Sequence, residues 1–202
     1  MKQVTLVLTA VVCLAWSAPT VPAADKPIAA EKVLLRDPVD STQRRFNLLS
    51  KDPSITFGSN GDSDTPSDHG AALLVFNPLS SECQCIVVPV NGWTIGGEGR
   101  RYVYRDTALV QGPVKQVVMK AGKLKIAARG SGLSGVTLDE TQQGEIAVHY
   151  TSGTASRLCA HFPASTARVD QPGAFVAVDA PAPGACLPEP AACTPCVPPV
   201  LP

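Results

Sequence analysis

The clearest pattern in this chain is a period of two. Leu124, Ile126 and Ala128 alternate with Lys123, Lys125, Ala127 and Arg129, which sets an apolar face against a wet one. VKQVVMK precedes this run across Ala121-Gly122, a two-residue turn in which Gly can take positive φ. A second hairpin is written in EIAVHYT-SGT-ASRLCAHF. Its inward residues are Ile146, Val148 and Tyr150 on one strand and Leu158, Ala160 and Phe162 on the other. Cross-strand partners share a face, so even positions must oppose even positions and the loop must hold an odd number of residues. A loop of Ser152-Gly153-Thr154 meets that condition. It opposes Val148 to Leu158 and Ile146 to Ala160, and on the outer face His149 to Arg157 and Glu145 to His161.

Further strands are predicted at residues 32–36 and Arg45–Ser50, each stopped by an Asp-Pro pair, with a short third at residues 55–57. Residues 72–76 (ALLVF) form a continuous apolar run, which suits a strand covered on both faces. Residues 85–90 are strand-like, and Pro89 pushes their end toward an edge or bulge. Residues 101–106 and 173–179 complete the set. Residues 58–70 (GSNGDSDTPSDHG) and 91–99 (NGWTIGGEG) are loops by composition. No stretch keeps a period of 3.6. The expectation is an all-β, antiparallel sandwich of jelly-roll or immunoglobulin-like type, with about nine or ten strands at short spacing. It occupies residues 32–180, after a lead-in at 24–31. Residues 181–202 carry eight prolines and read as a Pro/Cys-rich, polyproline-like tail held by cystines.

The first 23 residues stand outside that fold. Lys2, the apolar run from Val4 to Ala15 and the small residues up to Ala23 have the layout of a secretory signal peptide. The apolar run is short of the roughly 20 residues a membrane span needs. Cleavage after Ala23 removes Lys2 from the 17 basic side chains, leaving 16 against 17 acidic, a formal charge of −1. Such a balance gives no overall field for nucleic acid or anionic lipid, and the pairs Arg44-Arg45 and Arg100-Arg101 read as solvated surface. Cleavage also removes Cys13 and leaves Cys83, Cys85, Cys159, Cys186, Cys193 and Cys196. An even number in an exported chain argues for disulfides, and six cysteines allow 15 pairings. The chain is therefore expected to be secreted, periplasmic or on the outer cell surface.

RFNLLSKDP, AALLVFNP, GWTIGGEGRRYVYRD, AGKLKIAARGSGL, and CAHF followed by DQPGAFVAVDAPAPGAC together resemble a module of uncharacterised secreted bacterial proteins. The likeness spans roughly residues 32–187. It implies a β-rich exported domain and suggests the pair Cys159–Cys186; no activity attaches to such modules. Cys193 and Cys196 fall outside it.

Candidate chemistry is sparse. Asp62, Asp64 and Asp68 could gather around calcium, which takes six to eight oxygen ligands, but the Gly and terminal Glu of an EF-hand loop are absent. His149 and His161, four residues apart along the expected ladder, would be about 13 Å from each other, too far to share a metal, and read as surface histidines beside Arg157 and Glu145. Gly-x-Ser-x-Gly is absent, so a serine hydrolase lacks its elbow. Cys193-Thr194-Pro195-Cys196 resembles a redox pair, but no helix lowers a thiol pKa there. A cystine, within the pair or with Cys83 and Cys85, is the reading favoured over redox chemistry or zinc. Trp93, Tyr102 and Tyr104 could form an aromatic platform for a sugar ring or partner surface; the plainer reading makes the tyrosines core and sets Trp93 over the sandwich end. The functional expectation is a non-catalytic binding or structural module acting through the loops at 58–70 and 91–99. Its partner would be an extracellular protein or glycan surface, not nucleic acid. A calcium-dependent adhesion or carbohydrate-binding module and a hydrolase using His69 are the alternatives.

Overall fold

The computed structural model describes residues 23–58, 61–80, 82–97, 99 and 101–198. The proposed signal peptide lies, but for Ala23, outside the described residues. Thirteen strands form two sheets. They are β1 Ala24–Pro27, β2 Ala30–Arg36, β3 Arg45–Ser50, β4 Ala71–Phe76, β5 Cys83–Val88, β6 Trp93–Gly96 and β7 Arg101–Arg105. They continue as β8 Val114–Lys120, β9 Lys123–Arg129, β10 Ile146–Ser152, β11 Ser156–Phe162, β12 Ala167–Gln171 and β13 Ala174–Ala180. The smaller sheet runs β1-β11-β10-β4-β5, the larger β12-β13-β2-β3-β9-β8-β7-β6. Every pairing is antiparallel except β1 with β11. The all-β sandwich is thus present, with sheets larger and less equal than those of an immunoglobulin domain or jelly roll.

The core between the sheets is built by the predicted alternation. Val33, Leu35, Phe46, Leu48, Leu124 and Ile126 from the larger sheet meet Leu73, Val75, Ile86, Val148, Leu158 and Phe162 from the smaller. Each fully buried side chain of this kind contributes about 1.5–3 kcal/mol.

Three of the additional strands come from segments without a period-two signature. The lead-in forms β1, the glycine-rich loop contains β6, and ARVDQ forms β12. The short strand expected at residues 55–57 is absent. Ile55 is buried instead as a plug whose carbonyl accepts from the Gly122 amide at the β8–β9 turn. Phe57 sets its ring edge-on to Tyr102 at 5.3 Å.

The β8–β9 turn is Ala121-Gly122 as expected, with Lys120 opposite Lys123 and Gly122 at φ 68°. The second hairpin keeps the expected parity but not the register. Val148 opposes Ala160 and Ile146 opposes Phe162, so the loop is Gly153-Thr154-Ala155. The cause lies in residues 61–70, which close on the hairpin tip. Ser152 Oγ donates to the Asp64 carbonyl, and the Gly153 and Thr154 amides donate to Gly70 and Ser63. Gly153 sits at φ 56°, and a Cβ there would collide with the Ser63 carbonyl. Residues 61–70 are therefore a structured cap, with a four-residue helix, α1 (Pro66–His69), inside it.

The C-terminal segment is not a loose tail. Cys186 is bonded to Cys159 on β11, Cys193 to Cys83 and Cys196 to Cys85, both on β5. Between these anchors the segment lies across the outer face of the smaller sheet. Leu187, Cys193 and Cys196 pack against Ala72, Leu74, Phe76 and Ala147 in a second apolar cluster. This strap is why every residue of β4 and β10 is buried.

Closing a loop with a sequence separation of 27, the Cys159–Cys186 bond should stabilise the protein by roughly 3.5 kcal/mol. Replacing both cysteines by serine is expected to lower Tm by roughly 10 °C in a thermal melt. An unchanged Tm would show that the strap is held without it.

Candidate functional site

The smaller sheet carries a buried polar cluster beneath the strap. His149 Nδ1 lies 3.1 Å from Glu189 Oε1, and Arg157 donates to the same oxygen at 2.8 Å. Arg157 also pairs with Asp25 at 2.6 Å, which ties strap, β10, β11 and β1 together. The His149 ring stacks edge-on against Phe76 at 5.1 Å and is only 2% exposed. Burial holds its pKa below the ordinary 6.5, against the opposing pull of the Glu189 hydrogen bond. The expected exposure of His149 is corrected here, because the strap covers it. His161 does behave as expected toward Glu145, 2.8 Å from its carboxylate. It stands opposite Ala147, two ladder positions from His149 rather than four, and the two rings have separate carboxylate partners.

The loop aspartates do not converge as one ligand set among the described residues. Asp64 Oδ1 accepts from the Gly58 amide at 2.8 Å. Asp68 Oδ2 accepts from the Gly61 amide and from Thr65 Oγ1. Asp62 places its carbonyl under Thr65. The trio orders the cap over the Tyr102 hydroxyl, whose pKa is raised by burial first and then by Asp68, Asp64 and Asp62. A different set of carboxylates, Glu82, Asp139 and Glu140, does come within 4.8 Å of one another. Thr137 donates to Glu82 and to Asp139, and Gln143 to Glu140. The wide spacing of Glu82 from the others in sequence concealed this group.

The aromatic platform is not formed. Tyr102 and Tyr104 point into the core and are essentially unexposed, and burial raises the Tyr104 phenol to about 12. Trp93 is half-buried on the edge strand β6, its ring 5.5 Å from Tyr104. The four remaining cysteines stand in cystines, leaving neither a redox dithiol nor a thiolate set for zinc. Near the 130–138 loop, a cavity of about 30 Å³ lined by Leu35, Phe46, Val75, Ile86, Leu133 and Leu138 has room for a water or two and is too small for an organic ligand. His69 lies half-buried in α1 with no side-chain partner among the described residues.

The larger sheet is different. Its inner face is core, so the alternate residues face outward, and no element among the described residues covers them. Across β2, β3 and β9, Arg36, Arg45 and Arg129 stand directly side by side. At the opposite end of the strands Arg101, Lys120 and Lys123 do the same across β7, β8 and β9. Lys32, Lys125 and Arg105 occupy further outward positions. These nine are more than half of the chain's 17 lysines and arginines, and no Asp or Glu holds an outward position on these strands. None takes part in an ion pair among the described residues. Like charges directly opposite each other destabilise a sheet by several tenths of a kcal/mol per pair.

Between the basic side chains the face is hollowed. One depression of about 400 Å³ is lined by Leu34, Arg36, Gln43, Arg45 and Asn47, and the next, of about 260 Å³, by Arg45, Asn47, Lys115 and Arg129. A third, about 310 Å³, lies among Thr94, Arg101, Val103 and Arg105. The sequence shows each wet half-strand but not their assembly. A near-zero net charge conceals a surface on which one sign is segregated.

Compared with known proteins, the chain matches no protein-family model, no curated protein and no solved structure.

Because the unfolded chain protonates His149 near 6.5 while the folded chain resists it, stability is full above that pH and falls as pH drops below it. Glu189, Arg157 and Asp25 are the charges facing this ring. His149→Gln, which keeps a donor for Glu189, is expected to flatten the decline. Denaturant unfolding from pH 7 to 5.5 should show the wild type losing stability relative to the variant. Parallel profiles would remove His149 as the cause.

Proposed function

We propose that this chain is an exported, non-catalytic binding module whose ligand surface is the outer face of the eight-stranded sheet. The observation that carries this reading is the asymmetry of the sandwich. One sheet is sealed by a cystine-anchored strap; the other is left open among the described residues, and the outward positions of β2, β3, β7, β8 and β9 bear bases and no acids. Three cystines support an oxidising compartment. The leader over residues 1–23 and the resemblance to secreted β-rich modules support export. Of the 58–70 loop, expected to recognise a partner, residues 61–70 are better read as a cap on the β10–β11 hairpin. Binding here needs no reaction centre: the sheet sets the backbone positions of the cations in fixed register, so a ligand has only their side-chain rotamers to order.

The test is a binding survey on glycan and protein arrays with the mature protein and with Arg45→Glu/Arg129→Glu. Binding that the double variant loses is the expected result. Turnover on an ester, glycoside or peptide panel that disappears on loss of His69 would replace this reading with a hydrolase.

A further inference from the structure

Resting on the reading of the sheet face as the binding surface, we propose that its ligand is a linear, polyanionic polysaccharide. Charge complementarity carries the first step. Arg36, Arg45 and Arg129 form an unbroken row of neighbouring guanidiniums across three strands, at roughly 4.8 Å per strand, with no carboxylate to offset them. Such a row repels itself in the free protein, and an extended anion lying across the strands relieves all of its members at once, in competition with small counterions. Guanidiniums also suit this role, because their planar fork meets carboxylate and sulfate oxygens two at a time.

The surroundings of the row select the kind of polyanion. Single-stranded nucleic acid is held by stacking on aromatic rings, and no aromatic side chain faces outward on this sheet. A membrane surface calls for projecting apolar side chains. Of the six exposed large apolar residues among those described, Val39, Leu79, Val87, Val110 and Val197 lie outside the strands of this sheet. Ile95, on the edge strand β6 beside the third hollow, is a single side chain, and Leu34, Leu49 and Val118 are only half-exposed. What the face offers instead is a pair of contiguous hollows of about 400 and 260 Å³ that share Arg45 and Asn47. Each hollow is bounded by charge, and Asn47 supplies a neutral donor and acceptor between them. That arrangement fits successive rings bearing acidic groups, with the charges on the arginines and hydroxyls on Asn47. Multivalent contact of this kind weakens steeply with salt.

The experiment uses the full mature chain and measures binding to heparin and to polygalacturonate by titration at several salt concentrations. Phosphatidylglycerol vesicles and a single-stranded DNA oligomer are run in parallel. Arg45→Glu/Arg129→Glu keeps the like-charge pair on the ladder while reversing its sign. Lys26→Glu/Lys51→Glu makes the same change in net charge away from the face. Both variants are first checked for wild-type Tm. Should the face variant melt early, Asn47→Ala, which leaves the charges in place, is titrated beside it and must weaken polysaccharide binding. Salt-sensitive binding to at least one polysaccharide, reduced at least about tenfold in the face variant and little changed in the control, is the expected result. Equal loss in both variants would overturn the proposal, as would binding only to vesicles or DNA. In those last two cases, loss confined to the face variant would preserve the sheet face as the binding surface and reject the polysaccharide. Absence of any face-dependent binding would reject both.

Discussion

An apolar strand such as Ala71–Phe76 can exist only where both its faces are covered, and in this protein the second cover is the chain's own C-terminal segment. The strap lays Leu187 and two half-cystines on Ala72, Leu74 and Phe76, and it is anchored at one end to β11 and at the other to β5. Without it, Leu74 and Phe76 would face water from the middle of a sheet, a loss of about 3–6 kcal/mol for the two. That is a large part of the 5–15 kcal/mol by which a domain is normally stable. The same strap supplies Glu189 to the polar cluster and buries His149 within it, while Arg157 and Asp25 close the cluster toward solvent.

The consequence reaches the other sheet. With residues 186–196 committed to the smaller sheet, nothing remains in the described chain to cover the outer face of the larger one. That face must be compatible with water, and long basic side chains achieve this by lying over the half-buried aliphatics with their charged heads extended. Solvation alone would be served as well by a mixture of signs, which would also avoid the repulsion along Arg36, Arg45 and Arg129. The single sign is the feature that the proposed binding reading accounts for.

How much of this was legible in the residues depends on the range of the interaction involved. Strands with alternating faces, the Ala121-Gly122 turn and the double coverage of ALLVF are local, and they are readable. The hairpin parity was readable as well, whereas its register depended on residues 61–70 packing on its tip from far away in sequence. β1 and β6 carry Pro or Gly and hold their places through neighbours, so no pattern of their own declares them. The basic face was visible only in pieces. Arg45 belongs to one wet half-strand and Arg129 to another, and only the β2-β3-β9-β8-β7 order brings them together. The buried histidine could not be foreseen from a residue that alternates like a surface position.

A disulfide map of the non-reduced mature protein, obtained by proteolysis and mass spectrometry, bears most directly on the strap. Linked peptides joining Cys83 to Cys193, Cys85 to Cys196 and Cys159 to Cys186 are the expected result. A local bond between Cys193 and Cys196, or between Cys83 and Cys85, would detach the segment from β5, uncover Leu74 and Phe76, and contradict the account.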